Sequence, residues 1–418
     1  MEKQVIRTII ADQQNLRWKN QFVRREFPAN LIQSEDIIVI SGIRRCGKST
    51  LLHQIRDDKD EQDYYLNFDD DRLIQFKVED FQPLLEIFIE MFGVQKTIYF
   101  DEIQNIKGWE RFVRRLHDQG YKIFITGSNA RMLSRELGTH LSGRYISFEL
   151  YPFSFSEYLH FQKFESNANS ILSTEMRGMV QKHFQDYFKI GGFPAFIKNQ
   201  NPDYLRSLYD SILYRDIMVR NNLTNEKEMT ELVFYLAGNI SRPLSYNALS
   251  KTVGIANAST ISKYVGFFRD SYFIFLMNKF DFSYKKQLQN PKKVYFIDNA
   301  LARNIGFFFS DDLGRMLENM VFINLIRNQK DVFYHKNKVE CDFVVRQGNT
   351  ITEAIQVSYT LDNKTTRVRE INGLVTSAKS YGLNTGTIIT MNDEYNLTEG
   401  DFKIDVVPIW KWLLENER

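Results

Sequence analysis

Cysteine is scarce in this chain: among 418 residues there are two, Cys46 and Cys341. Two thiols cannot build a disulfide framework, which excludes the small disulfide-stapled class and points to a reducing compartment, the cytoplasm by default. An excess of one charge is also lacking. Lys and Arg number 54 and Asp and Glu 52, so any basic surface for nucleic acid has to be local. No run of about 18 uninterrupted apolar residues occurs, so no membrane span is expected. The opening MEKQVIRTIIADQQNLRWKN lacks the long apolar centre of a secretory leader. There is neither an internal repeat nor a low-complexity tract. What remains is 43% hydrophobic and 25% charged, the composition of a soluble globular chain long enough for two to four domains. The 34 Phe are scattered, which suits bulky cores better than one aromatic box.

Apolar strand candidates alternate with amphipathic stretches through the first 150 residues. The strands are DIIVIS (36–41), YYLNF (64–68), TIYFDE (97–102), YKIFITGS (121–128) and YISFEL (145–150). Helical patterns fill 48–57, 79–92 and 109–119, and the first 25 or so residues read as a helix with Leu16, Phe22, Val23 and Phe27 loosely on one side. Short apolar strands between helices predict an α/β fold, a parallel sheet covered on both faces. After YPFSFSEYL (151–159) the chain turns mostly helical, broken by GGFP (191–194). Four parts are expected: 1–155, 156–225, 226–300 and 301–418.

The sharpest signal is VISGIRRCGKST, Val39 to Thr50, in which Gly42 and Gly47 bracket four residues ahead of Lys48 and Ser49. A loop that wraps phosphate oxygens with backbone N–H groups must keep side chains out of the way, and glycines do so. The helix after it aims its N-terminal donors at the anion. Lys48 supplies a point charge for the β- and γ-phosphates and Ser49 a hydroxyl for Mg²⁺. The whole cradle, Gly42, Arg44, Arg45, Cys46, Gly47, Lys48, Ser49 and Thr50, is therefore a candidate nucleotide contact. Arg44 and Arg45 either meet phosphate or are solvated or paired with acids elsewhere. TIYFDEI then ends a buried strand in Asp101-Glu102. Asp101 fits the acid that organises Mg²⁺, and Glu102 the base that polarises an attacking water. At the end of the next strand Asn129 or Ser128 can sense the γ-phosphate; the alternative is a helix N-cap. Arg144 either neutralises developing charge, from its own or a neighbouring subunit, or forms a surface ion pair.

GIRRCGKSTLL, YFDEIQNIKGWERFVRRL, FITGSNARML, LSGRYISFELYPFSFSEYL and IGGFPAF together resemble the prokaryotic AAA+-like ATPases fused to a C-terminal domain of unknown function. The resemblance spans almost the whole chain. It implies an additional-strand P-loop NTPase core that binds ATP and hydrolyses it. Lys48 and Ser49 would then hold phosphate and Mg²⁺, Asp101 would hold the ion through water, and Glu102 would activate the attacking water. The preference for ATP over GTP rests on the resemblance alone.

Residues 244–280 lay out two helices, Ser245–Thr252 and one from Ser259 carrying Ile261, Val265 and Phe268, followed by two strands. A winged-helix module would look like this. Its second helix exposes little base, but Lys285, Lys286, Lys292 and Lys293 crowd the linker between the strands and could neutralise DNA phosphates. The alternative is a protein–protein module.

The tail runs helix (314–328, with Glu318), strands, an acid and another strand. That order is similar to the restriction-endonuclease-like α/β fold, whose nucleases use an Asp, then a Glu or Gln, then a Lys two residues on. Asp342 matches, Gln356 takes the acid's place, and Ser358 stands where lysine belongs. Two losses make hydrolysis doubtful, so Glu318, Asp342 and Gln356 read as a vestigial nuclease site unless Lys338 or Lys364 substitutes. Trp410 and Trp412 read as core packing. The leading expectation is a Mg²⁺-dependent ATPase whose nucleotide state moves its C-terminal modules. A DNA-binding regulator with little turnover is the second reading and a metal-dependent nuclease the third. Partners other than ATP would be DNA, another protein or a second copy of the chain.

Overall fold

The computed structural model describes residues 1–15, 23–128, 138, 141, 143–164, 173–255, 257–306 and 313–416. The chain divides into two compact units. The first is Met1–Tyr151 together with Asp270–Tyr272, and the second is Pro152–Arg269 with Phe273–Arg418. The boundary at 151 lies close to the expected 155, whereas the divisions expected near 225 and 300 fall inside the second unit.

In the first unit, α1 (Lys3–Asn15) buries Ile6, Ile9 and Ile10, the three-to-four spacing of an amphipathic helix. Of the residues placed on its pattern, Val23 and Phe27 lie in irregular chain, and Leu16 and Phe22 lie outside the described residues. After the short α2 (Ala29–Gln33) come β1 (Ile37–Ser41), α3 (Lys48–Asp57), β2 (Tyr65–Asn67), α4 (Phe81–Phe92), β3 (Thr97–Asp101), α5 (Trp109–Asp118), β4 (Lys122–Gly127) and β5 (Tyr145–Glu149). The five strands pair in parallel in the order β2-β3-β4-β1-β5. All of β1 is buried, as a central strand covered on both faces must be. Because the strands are parallel, Ser41, Asp101 and Gly127 end at the same edge of the sheet. One face is filled by a cluster that includes Ile6, Leu84, Phe100, Trp109 and Ile123.

The second unit begins with helices at Phe155–Phe161, Thr174–Ile190, Pro194–Asn199, Pro202–Asp210 and Glu226–Ala237. Next come β6 (Pro243–Leu244), helices Tyr246–Val253 and Ala258–Asp270, β7 (Ile274–Met277), a short helix Tyr284–Gln289, and β8 (Lys292–Phe296). These strands form an antiparallel sheet in the order β6-β8-β7. As the spacing required, Ile261, Val265 and Phe268 are all buried. The helix Leu313–Arg327 leads into β9 (Asp331–Lys336), β10 (Glu340–Gln347), β11 (Thr350–Val357), β12 (Thr385–Thr390), β13 (Tyr395–Glu399) and β14 (Phe402–Pro408). They make a mixed sheet ordered β13-β14-β12-β11-β10-β9, with helix Lys364–Lys379 following β11. Trp410 and Trp412 are buried in the last helix, Ile409–Asn416. Among the described residues no helix is long and apolar enough to cross a membrane.

The expectation for Lys293 is corrected here. It is not an exposed cation but 2% exposed, and its ammonium lies 3.0 Å from Glu318, 3.0 Å from Glu340 and 3.3 Å from Asp342. The Tyr295 hydroxyl donates to Glu318 Oε1 at 2.7 Å. Burial opposes the charge on Lys293, yet the three carboxylates outweigh it and hold the group above the usual lysine range. Burial, followed by the neighbouring Asp342, pushes the Glu318 carboxyl up to about 7. Gln356 is occupied otherwise: its amide donates to Glu370 at 2.6 Å and accepts the Asp342 N–H at 3.2 Å. Ser358 donates to the Thr360 carbonyl, and Lys338 and Lys364 are exposed. The cation beside the acids thus arrives from β8, about 50 residues upstream of Asp342 in sequence.

A buried ammonium that serves as the counter-charge of two buried acids, Glu318 and Asp342, is costly to delete, while Glu340 keeps Lys336 as a second partner. Lys293→Met is expected to lower unfolding free energy by about 3–5 kcal/mol, because Glu318 and Asp342 then lose their ammonium partner. Adding Glu318→Gln should recover part of the loss. Urea denaturation of the two variants and the wild type checks both statements.

Candidate functional site

At the common edge of the first sheet the chain leaves β1 through Gly42. A Cβ there would stand 2.2 Å from the Leu150 carbonyl oxygen, so no other residue fits. Leu150 approaches because its N–H donates to the Ser41 carbonyl at 2.7 Å, continuing the β1–β5 ladder. The loop closes at Gly47 (φ 105°), which opens α3. Lys48 is the first residue of that helix and is 4% exposed. Its ammonium donates to the carbonyls of Gly42 and Ile43, both at 3.2 Å, and lies 3.8 Å from Glu102 Oε1. Arg44 is half-buried, Arg45 is exposed with φ 67°, and Cys46 is fully buried, its thiol pushed up by burial.

Asp101 is sealed at 0% exposure. Thr126 donates to it at 2.5 Å, the Tyr65 hydroxyl reaches it at 3.4 Å, and Ser49 on α3 lies close enough to favour its charged form. Burial and then the adjacent Glu102 raise its carboxyl to about 6. Thr126 is a hinge pin for both acids, since the same hydroxyl accepts the Glu102 N–H at 2.9 Å. Glu102 takes a left-handed backbone (φ 53°), which lets the two neighbouring side chains leave the strand end in different directions. Gln104 donates to its Oε2. The structure therefore brings Lys48, Ser49, Asp101 and Glu102 together around one loop.

Ser128 is buried at 2% exposure, and its hydroxyl has no partner among the described residues. Asn129 lies outside the described residues. Arg144 is not brought to the loop. Its carbonyl accepts the Ile37 N–H at 2.9 Å, which sets it at the opposite edge of the sheet, and its guanidinium pairs with Asp118 at 3.0 Å.

Two residues of the site gave no signal in the sequence. Arg25, 4% exposed, donates to the Cys46 carbonyl at 2.8 Å and the Tyr151 carbonyl at 2.7 Å. Its own backbone is gripped at N–H and C=O by the Gln54 amide, both at 2.8 Å. Tyr272 (φ 60°) donates to the Ser41 hydroxyl at 2.7 Å, directly beneath the loop. Neither belongs to a periodic pattern, and Tyr272 is 231 residues from its partner.

Chemically, the loop and the start of α3 present backbone N–H donors and an ammonium to an anion. The Ser49 hydroxyl and the Asp101 carboxylate are hard oxygen donors of the kind Mg²⁺ takes. Among the described residues no three His, Cys, Asp or Glu side chains are placed to hold a metal alone. The rest of an octahedral shell would have to come from phosphate and water, as is usual for this ion.

The comparisons with known proteins agree with this geometry. Residues 34–159 match the model of an AAA domain, and residues 181–311 match a domain of unknown function, DUF8612. Neither of these describes a nuclease. The uncharacterized protein MJ1544 of Methanocaldococcus jannaschii is 35% identical over 99% of this chain and 96% of its own length. An uncharacterized protein of Haemophilus influenzae is 32% identical over 95% of this chain and 100% of its own. Among solved structures, the Aeropyrum pernix ORC2 protein in its ADP form covers 78% of this chain and 98% of its own, at 11% identity and a TM-score of 0.35. Cdc6p from Pyrobaculum aerophilum covers 77% and 98%, at 12% identity and a TM-score of 0.26. Scores this low carry no weight beside the sequence matches. The first unit is an AAA-type P-loop domain, and the chain belongs to the family of MJ1544 and its Haemophilus influenzae relative.

Proposed function

We propose that the chain binds ATP with Mg²⁺ between the Gly42–Gly47 loop and the Asp101-Glu102 strand end and hydrolyses it. The observation that carries this reading is the Asp101–Thr126–Glu102 hydrogen-bond chain, with Ser49 close to Asp101 and Lys48 close to Glu102. It ties two strand ends together beside the loop helix, so phosphate-binding and water-activating groups share one frame. Lys48 exchanges its loop carbonyls for phosphate oxygens. Ser49 and Asp101 hold the cation, which supplies charge neutralisation for the phosphates. Glu102 accepts a proton from the attacking water, and Gln104 fixes one of its oxygens. Ser128, or Asn129 beyond it, senses the terminal phosphate. Arg144, which lies at the other edge of the sheet from the loop, serves a neighbouring copy rather than its own site.

Coupling of nucleotide state to the rest of the chain belongs to the same proposal. It is supported by connectivity: Asp270–Tyr272 is part of the first unit, while the residues on either side of it belong to the second. The order helix, β6, helix, helix, β7, β8 supports reading residues 226–300 as a winged helix, and DNA as a partner follows from that reading. The mixed six-stranded sheet supports a restriction-endonuclease-like tail. Its acids already hold the Lys293 ammonium among them, which favours a scaffold over a nuclease. The two buried free thiols suit a cytoplasmic protein.

Phosphate release from ATP with Mg²⁺ tests the reading. Glu102→Gln should keep nucleotide affinity within a few-fold and lower kcat by about 100-fold or more, the usual worth of a positioned base. Lys48→Ala should abolish binding in a fluorescent-nucleotide titration. Turnover unchanged in both variants would sink the proposal.

Asp101 gives a second, independent check. Its carboxyl holds a proton more tightly folded than unfolded, so stability contributed by this group falls as pH rises from about 4 through 6 and stays lost above. In metal-free protein at pH 7, Asp101→Asn should therefore raise unfolding free energy, by up to roughly 3 kcal/mol for a shift of about two units. The same substitution should abolish turnover. Calorimetry at pH 4 and pH 7 should show the wild type and the variant nearly converging at the lower value.

A further inference from the structure

The segment between β7 and β8 is built inside out. Its short helix turns Gln287 inward, where the amide donates to the Asp281 carbonyl at 2.6 Å. Tyr284 and Leu288, four residues apart and so on one face, point to solvent, and Phe282 precedes them. They are 73%, 55% and 85% exposed, although a surface helix ordinarily buries its apolar side. Phe282 is not loose: its ring packs edge-on against Phe280 at 5.2 Å, and Phe280 is itself in the core of the second unit. Lys285 and Lys286 are exposed beside the rings. No acid occurs from 282 to 289, and the nearest, Asp281, has one carboxylate oxygen taken by the Ser283 N–H at 2.9 Å. Of the four lysines in this segment, Lys292 is half-buried and donates to Asn278, and Lys293 is committed to the acids.

Neither Lys285 nor Lys286 forms an ion pair among the described residues, and two exposed cations side by side select an anionic partner. Two flat rings standing out from a fixed base, next to those cations, match a strand whose phosphates and bases alternate. We propose that Phe282, Tyr284, Lys285 and Lys286 form a platform for single-stranded nucleic acid, with bases stacked on the rings and phosphates paired with the ammonium groups. A duplex hides its base faces and gains only the lysine contacts, so the single strand binds more tightly. The platform uses no part of the nucleotide site and is independent of the ATPase reading.

Fluorescence anisotropy of a labelled 20-nucleotide single strand and of its duplex, with the full chain, no nucleotide, and salt at 50 and 200 mM, tests the proposal. The single strand is expected to bind more tightly than the duplex. Phe282→Ala with Tyr284→Ala should weaken it about tenfold or more at both salt concentrations. Lys285→Ala with Lys286→Ala should instead flatten the salt dependence by about 1.4 in logarithmic slope, the share of two phosphate contacts on a single strand. All four side chains are exposed, so thermal unfolding should not change. Lys48→Ala should bind the strand like the wild type, which separates this result from any failure of ATP binding. The proposal is overturned by no binding at 50 mM salt, by equal affinity of both double variants and the wild type, or by preference for the duplex. It is equally overturned if sedimentation shows the apolar face to be a self-association surface that the aromatic variant abolishes while nucleic acid goes unbound.

Discussion

A carboxylate with no access to solvent governs the first unit. Asp101 is tolerable there because hydroxyls surround it: Thr126 donates to it, and Tyr65 and Ser49 approach. Hydroxyl donors reduce the cost of a buried charge but do not neutralise it. The fold thereby keeps an unmet demand for positive charge at the point where β1, β3 and β4 end together. Lys48, at the start of the helix after the loop, spends its hydrogen bonds on carbonyls of the loop itself. A site of this kind is stable enough to persist and polar enough to gain from a bound cation and anion together.

The second unit solves the comparable problem in the opposite way. Glu318, Glu340 and Asp342 all converge on one ammonium, that of Lys293. A lysine cannot dissociate from its own chain. The acids therefore serve cohesion, joining β8, the helix Leu313–Arg327 and β10 within one unit. The same residue types at similar density have thus been put to different uses at the two places.

What the sequence disclosed follows the range of the interactions. The five strands of the first sheet and the loop were legible because each is specified by contiguous residues: an apolar run, two glycines, a lysine and a hydroxyl. Their meeting at one edge follows from parallel pairing alone. Arg25 and Tyr272 escaped notice because each is defined by a partner far along the chain, and no periodicity marks them. Lys293 was misjudged for the same reason. Beside Lys292 and near Lys285 and Lys286 it looked like part of a solvated basic cluster. Strand alternation turned it inward, where the acids of a later segment meet it. The short helix at Tyr284–Gln289 was hidden by its length and lack of an apolar stripe facing the core.

The three-residue excursion of Asp270–Tyr272 into the first unit bears on how this protein can be dissected. A fragment ending at residue 151 would leave the Ser41 hydroxyl without the phenol that meets it. The complementary fragment would carry that phenol as an orphan. A fragment that keeps the first unit whole therefore has to carry residues 270–272 as well as 1–151.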